Sequence, residues 1–440
     1  MTILSTLQDT KQHRQVFAIM VPMTLSGLSI PLLGMVDTAM MGHLDAAYYL
    51  GAVAVGSLVF SFLFWGFGFL RMGVTGLTAQ AYGAQDQTKI LGTLTRGLSL
   101  ALCLGVLLIL LQDAIVHFSL LLIESSDNVE RNLALYLEVR IFSAPAALIN
   151  YVLLGWFLGI HRPRLTLYLL ILVNVSNIVL DLLFVMVWDW RVQGVAWASV
   201  CAEYMGLLLG IYLIRAYAKE KKLTWDWRQD LMWEKFTALF HVSGNIFIRT
   251  LCLISCFAFF TLQGAKFGET ILAANAVLMN FQTFMAYGLD GFAHAAEALV
   301  GKHSGRRDRR ALLDTIVICA FWSIVVALTF SACYYGLGPS LIGLLTGLTN
   351  VREAALEYLP WAIAAPILSV GGYLFDGIFI GAAWSAAMRN TMLISSVVFV
   401  LAWYFSQQWE NHGLWFALMS FMLARGITMA FEFRRKQKML

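Results

Sequence analysis

Polar and apolar positions follow one another in long blocks, not in the short periods of a soluble helix or strand. Apolar runs cover 16–42, 50–80, 93–118, 132–160, 166–188, 194–217, 238–262, 270–300, 312–335, 354–382, 390–407 and 413–432. A bilayer core needs about 20 apolar residues at roughly 1.5 Å rise each, so each run predicts one membrane-spanning helix. Several approach 30 residues, which requires tilt or bending. Pro22, Pro31, Pro145, Pro360 and Pro366 lie in or at the edge of these runs. An interior proline lacks a backbone donor, so each marks an expected kink. The predicted class is an all-α polytopic membrane protein with twelve transmembrane helices.

The pattern repeats at an offset of 222 positions. Leu50 falls on Leu272, Ala52 on Ala274, Ala54 on Ala276 and Val55 on Val277. Gly66 falls on Gly288, Gly83 on Gly305 and Asp86 on Asp308; Gly155, Phe157 and Gly159 fall on Gly377, Phe379 and Gly381. Apolar coincidences are cheap, so the shared loop residues weigh most. The offset predicts two six-helix repeats of equal orientation, related by a pseudo-two-fold axis along the membrane normal. The expected organisation is an N-lobe over 1–217 with helices 1–6, a polar cytoplasmic linker over 218–236, and a C-lobe over 237–440 with helices 7–12. Two such lobes suit alternating access, which does not by itself identify a cargo.

Composition narrows the class. Hydrophobic residues make up 60% of the chain and charged residues 13%, with a mean hydropathy of +0.74. Soluble domains carry about 25% charge. A secreted disulfide scaffold and a disordered regulator are thereby excluded. The net charge of +4 is small, and its placement matters more. About 22 lysines and arginines fall on the loops that share a side with both termini, and about four on the other side. That bias predicts cytoplasmic N- and C-termini. It also removes nucleic acid as a partner, because the basic residues are scattered topology signals. The six cysteines show no CxxC pair and no zinc spacing. There is no GxxxxGK[ST], GxSxG or HExxH, so neither an enzyme nor a nucleotide-driven pump is expected, and no cofactor or metal.

Chemistry then rests on acids inside the spans: Asp37, Glu138, Asp181, Glu203, Asp290, Glu297 and Asp376. Each costs about 2.5–3.5 kcal/mol at a helix centre, so they must face the interior, pair, or take a proton. Asp37 falls on Phe259 in the other repeat, so the architecture does not require it; it serves function or reaches water at the outer interface. Asn174, Asn177 and Asp181 share one helical face. An asparagine can donate to a carboxylate and accept from a carboxylic acid, so this face is a cation or proton site, or a structural hydrogen-bond network. Asn150 is a weaker candidate. In the second half, Arg249 requires an acid, and Asp290 and Glu297, seven apart, are the expected suppliers. Such a pair is either structural or part of a binding site. Asp376, in FDGIFIG, sits where helices are expected to approach closely, and Glu203 has no evident partner.

VDTAMMGHL, INYVLLGWFLGIHRPR, NVSNIVLDLLFV and GVAWASV resemble the multidrug and toxic compound extrusion (MATE) family. IRTLCL, AANAVLMNF, AYGLDGFAHAAEALVGKHSG and FDGIFIGAAWSAAMRN are similar to its DinF-like branch. The resemblance covers nearly the whole chain. It implies a two-lobed antiporter of a bacterial cytoplasmic membrane that exports lipophilic or aromatic organic cations against protons or sodium; a monomer is expected. It also implies that Asp37 is the coupling residue, that Asn177, Asp181 and Asn150 accompany it, and that the first helix bends near Pro22. In the sodium-type branch the acids of the second half are used. Its tenth-span aspartate resembles Asp376, but Arg249 stands in the seventh span, where that branch has a glutamate. The alternatives are sodium coupling through the C-lobe acids, and a flippase of lipid-linked precursors. A flippase would require a basic cavity, whereas the spans hold seven acids against four arginines.

Overall fold

The structure, a computed structural model, describes residues 6–41, 47–122, 126–223, 225 and 227–437, without the side chains of 30–41, 47, 122, 228 and 229. Each predicted span is largely helical over its described residues, and no strand occurs among the described residues. The first half comprises α1 (Thr10–Met41), α2 (Ala47–Gly66), α3 (Phe69–Gly83), α4 (Gln87–Leu110), α5 (Gln112–Leu122), α6 (Asp127–Arg140), α7 (Ala144–Gly159), α8 (Pro163–Asp181) and α9 (Arg191–Lys221). A short helix α10 (Trp227–Asp230) follows, then α11 (Thr237–Lys266), α12 (Glu269–Gly305), α13 (Arg309–Leu345), α14 (Thr349–Gly381), α15 (Ser385–Ser406) and α16 (Glu410–Lys436).

Some spans are broken for local reasons. The second divides into α2 and α3, where the amides of Phe67 and Gly68 bond Phe64 and Trp65 in tight i→i−3 turns. Gly66 and Gly68 weaken the helix there. Under the repeat Gly68 corresponds to Asp290, and α12 runs through unbroken. The fourth span changes to a 3₁₀ turn at Ile141–Ser143 just before Pro145, which has no amide to donate. The fifth ends in a π-helical turn, Leu182–Val187, directly after Asp181. By contrast, α1 is continuous through Pro22.

Among the described residues, nine helical stretches are long and apolar enough to cross a membrane; one, Ser385–Lys436, contains two predicted spans. Large apolar side chains point outward along them, including Leu110, Tyr335, Leu344 and Phe405, each more than two-thirds exposed. Water would penalise such a surface by about 25 cal/mol per Å². A multi-pass membrane protein satisfies it with lipid.

The repeat is visible in the backbone. Gln85 and Arg307 both adopt left-handed φ, 58° and 57°, as do His161 and Ala383 at 59° and 55°; each pair is 222 residues apart. Asp86 caps α4 through the Lys89 amide and Asp308 caps α13 through the Ala311 amide, both at 3.0 Å. A Cβ at Gly155 would strike the Arg71 carbonyl, and one at Gly377 the Ala293 carbonyl. Arg71 and Ala293 are again 222 apart. Gly159 presses on Thr75 and Thr78, and its counterpart Gly381 on Glu297 and Gly301. The same helix crossing is thus built twice, each time by two glycines that let backbones touch.

The chain forms two compact units. One comprises Met1–Thr24, Tyr82–Ala84 and His241–Leu440; the other comprises Leu25–Ala81 and Gln85–Phe240. Helix α1 belongs to the first unit up to Thr24 and to the second from Leu25. In the first unit Phe260 meets Trp415 edge-on at 5.0 Å, and Asn275 and Asn411 exchange amide hydrogen bonds of 2.7 and 3.0 Å. In the second unit α7 is buried nearly all round; its Trp156 donates to the Ile90 carbonyl and packs edge-on against Tyr217.

Candidate functional site

In the second unit the polar face of α8 is buried: Asp181 is 0% and Asn177 3% exposed. With its amide nitrogen toward Asp181, Asn177 donates to Asp181 Oδ2 at 2.7 Å and accepts from Ser199 Oγ at 2.9 Å and from the Ser199 amide at 3.2 Å. Turned the other way, Asn177 can only donate to Ser199 Oγ. The orientation that satisfies both amide atoms of Asn177 therefore joins α8 to α9 through a carboxylate, an amide and a hydroxyl. Asn174, one turn earlier, donates to Ser29 Oγ of α1 at 2.6 Å. The fifth-span residues thus act across three helices. The π-helical turn after Asp181 is a feature that recurs at functional sites.

Asn150 stands apart from that group. Its Nδ2 donates to Glu203 Oε2 at 2.8 Å and to the Glu203 carbonyl at 3.0 Å. The sequence offered no partner for Glu203, because the pairing joins α7 to α9 and shows no local spacing. The Asp37 side chain lies outside the described residues, although its backbone belongs to α1.

In the first unit Arg249 is buried, at 4% exposure, and its partner corrects the sequence expectation. Arg249 Nη2 donates to Asp376 Oδ2, and Arg425 Nη2 donates to the same oxygen at 2.7 Å. Of the two acids first expected, Asp290 adds a longer-range attraction to Arg249, and Glu297 lies 3.3 Å from His294 Nδ1. Spacing on α12 correctly placed Asp290 and Glu297 on one face. The hydrogen-bonded acid nevertheless comes from α14, because packing brings α11, α14 and α16 together. The Gly371 and Gly426 backbones touch, with a Cβ at Gly371 meeting Gly426 Cα at 3.2 Å. That closeness lets Arg425 reach Asp376. Arg425, also stacked 5.7 Å from the Phe421 ring, was missed as a site residue; a second in-span arginine was the available signal.

The two clusters differ in kind. In the one around Asp181, the acid is bonded by a neutral amide that a hydroxyl in turn supports. The one around Asp376 holds an acid whose charge two guanidiniums already meet. No group of three or more metal-ligating side chains occurs among the described residues.

Comparison with known proteins agrees with this architecture. The family model MatE matches the chain twice, over residues 22–183 and 246–406, once in each half. The chain is 42% identical to the DNA damage-inducible protein F of Escherichia coli (strain K12) over 97% of its own length and 93% of that protein's. It is 25% identical to a probable multidrug resistance protein NorM of Neisseria meningitidis serogroup A, covering 89% of this chain and 84% of that one. Its fold is similar to a MATE crystal structure in the straight conformation, with a TM-score of 0.87 at 19% identity over 97% and 96% of the two chains. With the family model matching in both halves, the chain belongs to the MatE family and is a membrane transporter of the multidrug and toxic compound extrusion type.

Proposed function

We propose that the protein is a secondary active multidrug exporter of a bacterial cytoplasmic membrane. It exchanges protons for lipophilic or aromatic organic cations by alternating access, with both termini cytoplasmic. Asp37 is the main coupling residue; Asp181, Asn177, Asn150 and Asn174 accompany it, and α1 bends near Pro22.

One contrast carries this reading. Asp181 is fully buried and takes a hydrogen bond from the neutral amide of Asn177, whereas Asp376 Oδ2 is already bonded by Arg249 and Arg425. A sodium ion at Asp376 would have to sit beside two guanidinium charges that the same carboxylate already answers. A proton at Asp181 meets the neutral amide of Asn177. Burial favours the neutral form of a carboxyl group, and an asparagine amide can serve either form.

Outside protons neutralise Asp37, which then hydrogen-bonds toward Asn177 and Asp181. Bending of α1 near Pro22 shrinks the cavity and expels the cargo; deprotonation to the cytoplasm resets it. Pro22 stands two residues before Thr24, where α1 passes from one compact unit to the other. Cargo cation and proton exclude one another because both answer the same negative charge. One proton falling through about 150 mV supplies roughly 3.5 kcal/mol, which concentrates cargo a few hundred-fold. That holds only where net charge moves; one-for-one exchange of a proton and a monovalent cation is driven by the pH gradient alone.

The test is ethidium flux in proteoliposomes holding the full chain. The expected result is flux under a pH gradient without sodium. Flux under a sodium gradient alone would transfer the role to the C-lobe acids, above all Asp376.

A further inference from the structure

Glu203 is absent from the coupling scheme above, and its geometry with Asn150 is that of a proton-carrying site. Asn150 is 3% exposed, and its Nδ2 is committed to Glu203 at both the carboxylate and the carbonyl. Its Oδ1 is buried and accepts no hydrogen bond among the described residues. An amide oxygen without a donor, beside a carboxylate bonded by the same amide, is a vacant acceptor. With Glu203 ionised, Asn150 Nδ2–H donates to Oε2, as observed. With Glu203 protonated, the new O–H has Asn150 Oδ1 as its acceptor. Both protonation states are therefore provided for within one side-chain pair.

The pair also adjoins the Asp181 cluster. Ser199, bonded to Asn177, and Glu203 are four apart on α9 and so share a helical face. Gly206 keeps α9 close to its neighbours here: a Cβ at that position would meet Val173 of α8 and the Asn150 amide of α7. Among the described residues, few ionisable groups act on Glu203. Arg140 of α6 attracts it, and Tyr151 of α7 lies within electrostatic reach of it and of Arg71 in α3. Asp181 lies on the neighbouring α8, where Asn177 holds it. Arg140 is the cation that opposes the Glu203 charge, yet it is hydrogen-bonded to Ser143 at 2.9 Å. The acid thus has a cation nearby, a neutral amide as its direct partner, and a free acceptor for its proton.

We propose that Glu203 is a second proton-carrying residue of the exporter, one helical turn along α9 from the Asp181 cluster, with Asn150 as the positioning residue that serves both its protonation states. This rests on the proton-coupled reading. The proton enters at the Asp37 and Asp181 group and is held on a Glu203 carboxyl oxygen. It leaves as the site reopens, with no other bond made or broken.

The experiment measures ethidium flux in proteoliposomes against pH, together with protons released per ethidium bound by the purified full-length protein. The wild type should show two titration steps. Glu203→Gln should lose one step and release fewer protons per ethidium while still binding ethidium. Asn150→Ser should keep both steps but displace the Glu203 step along the pH axis. A Glu203→Gln profile and proton count that superimpose on the wild type would overturn the assignment. If Glu203→Gln is not recovered folded, Asn150→Ser decides: an undisplaced step rejects the proposal. A wild type whose flux ignores pH altogether rejects the proton-coupled reading as well, so the two failures are distinguishable.

Discussion

Arg425 donates to Asp376 at 2.7 Å from a helix 49 residues further along the chain, and Arg249 shares the same carboxylate oxygen. All three groups are buried. Removing one partner of a buried ion pair leaves the other charge uncompensated, at a cost of about 3–5 kcal/mol. Asp376→Asn should therefore destabilise most, because it strands two guanidiniums side by side. Arg425→Met should cost less, since Arg249 still answers Asp376. Thermal unfolding in detergent orders the variants; Arg425→Met as damaging as Asp376→Asn would show that Arg249 does not support the acid.

The paired helix crossings give a second prediction. Gly155→Ala and Gly377→Ala each push a methyl group into a backbone carbonyl, of Arg71 and Ala293 respectively. Overpacking of this sort costs about 1–3 kcal/mol, and the equivalent geometry predicts similar losses. Gly244 and Gly336, also helical, have nothing within 4 Å of an added Cβ. Alanine there should be neutral or stabilising by about 0.5–1 kcal/mol. Comparison of the four unfolding temperatures checks the pattern.

The caps of α4 and α13 give a third. Asp86→Ala and Asp308→Ala should each cost about 1 kcal/mol by leaving a helix amide without its acceptor. The Lys89 amide bonded to Asp86 holds that carboxyl below its ordinary value of 3.8, with the Lys89 side chain adding to the effect. A depressed folded value means that the stabilisation is complete above the unfolded value and is lost as pH falls through the folded one. The gap in unfolding temperature between wild type and Asp86→Ala should be constant near neutrality and close below about pH 4. A gap that widened on acidification would contradict the cap.

Much of this fold was legible because lipid imposes long apolar runs and the repeat imposes one offset on turns, caps and glycines. Gly155, Gly377, Asp86 and Asp308 could be matched before any coordinate. The fifth-span face was legible too, since Asn177 and Asp181 are one turn apart on a single helix. Pairings between helices were not. Nothing local in the sequence joins Asn150 to Glu203 or Arg425 to Asp376, because packing of distant segments makes those contacts. The break at Phe67–Gly68 was overlooked because the apolar run continues across it and only Gly66 and Gly68 mark it.

The fully buried Asp181 gives a fourth prediction. Asp181→Asn keeps the shape of the side chain and an acceptor for Asn177, so the protein should fold. It should still bind ethidium but respond weakly to a pH gradient. Unchanged pH-driven flux would reduce the Asp181 cluster to a structural network.

The central claim is that proton and cargo compete for the carboxylates of the N-lobe, with Asp37 foremost. The most direct measurement is the proton release evoked by ethidium from purified protein in weakly buffered, sodium-free solution, in the wild type and in Asp37→Asn. The account predicts release from the wild type and none from the folded variant. Equal release from both, or release from the wild type only when sodium is added, would contradict it.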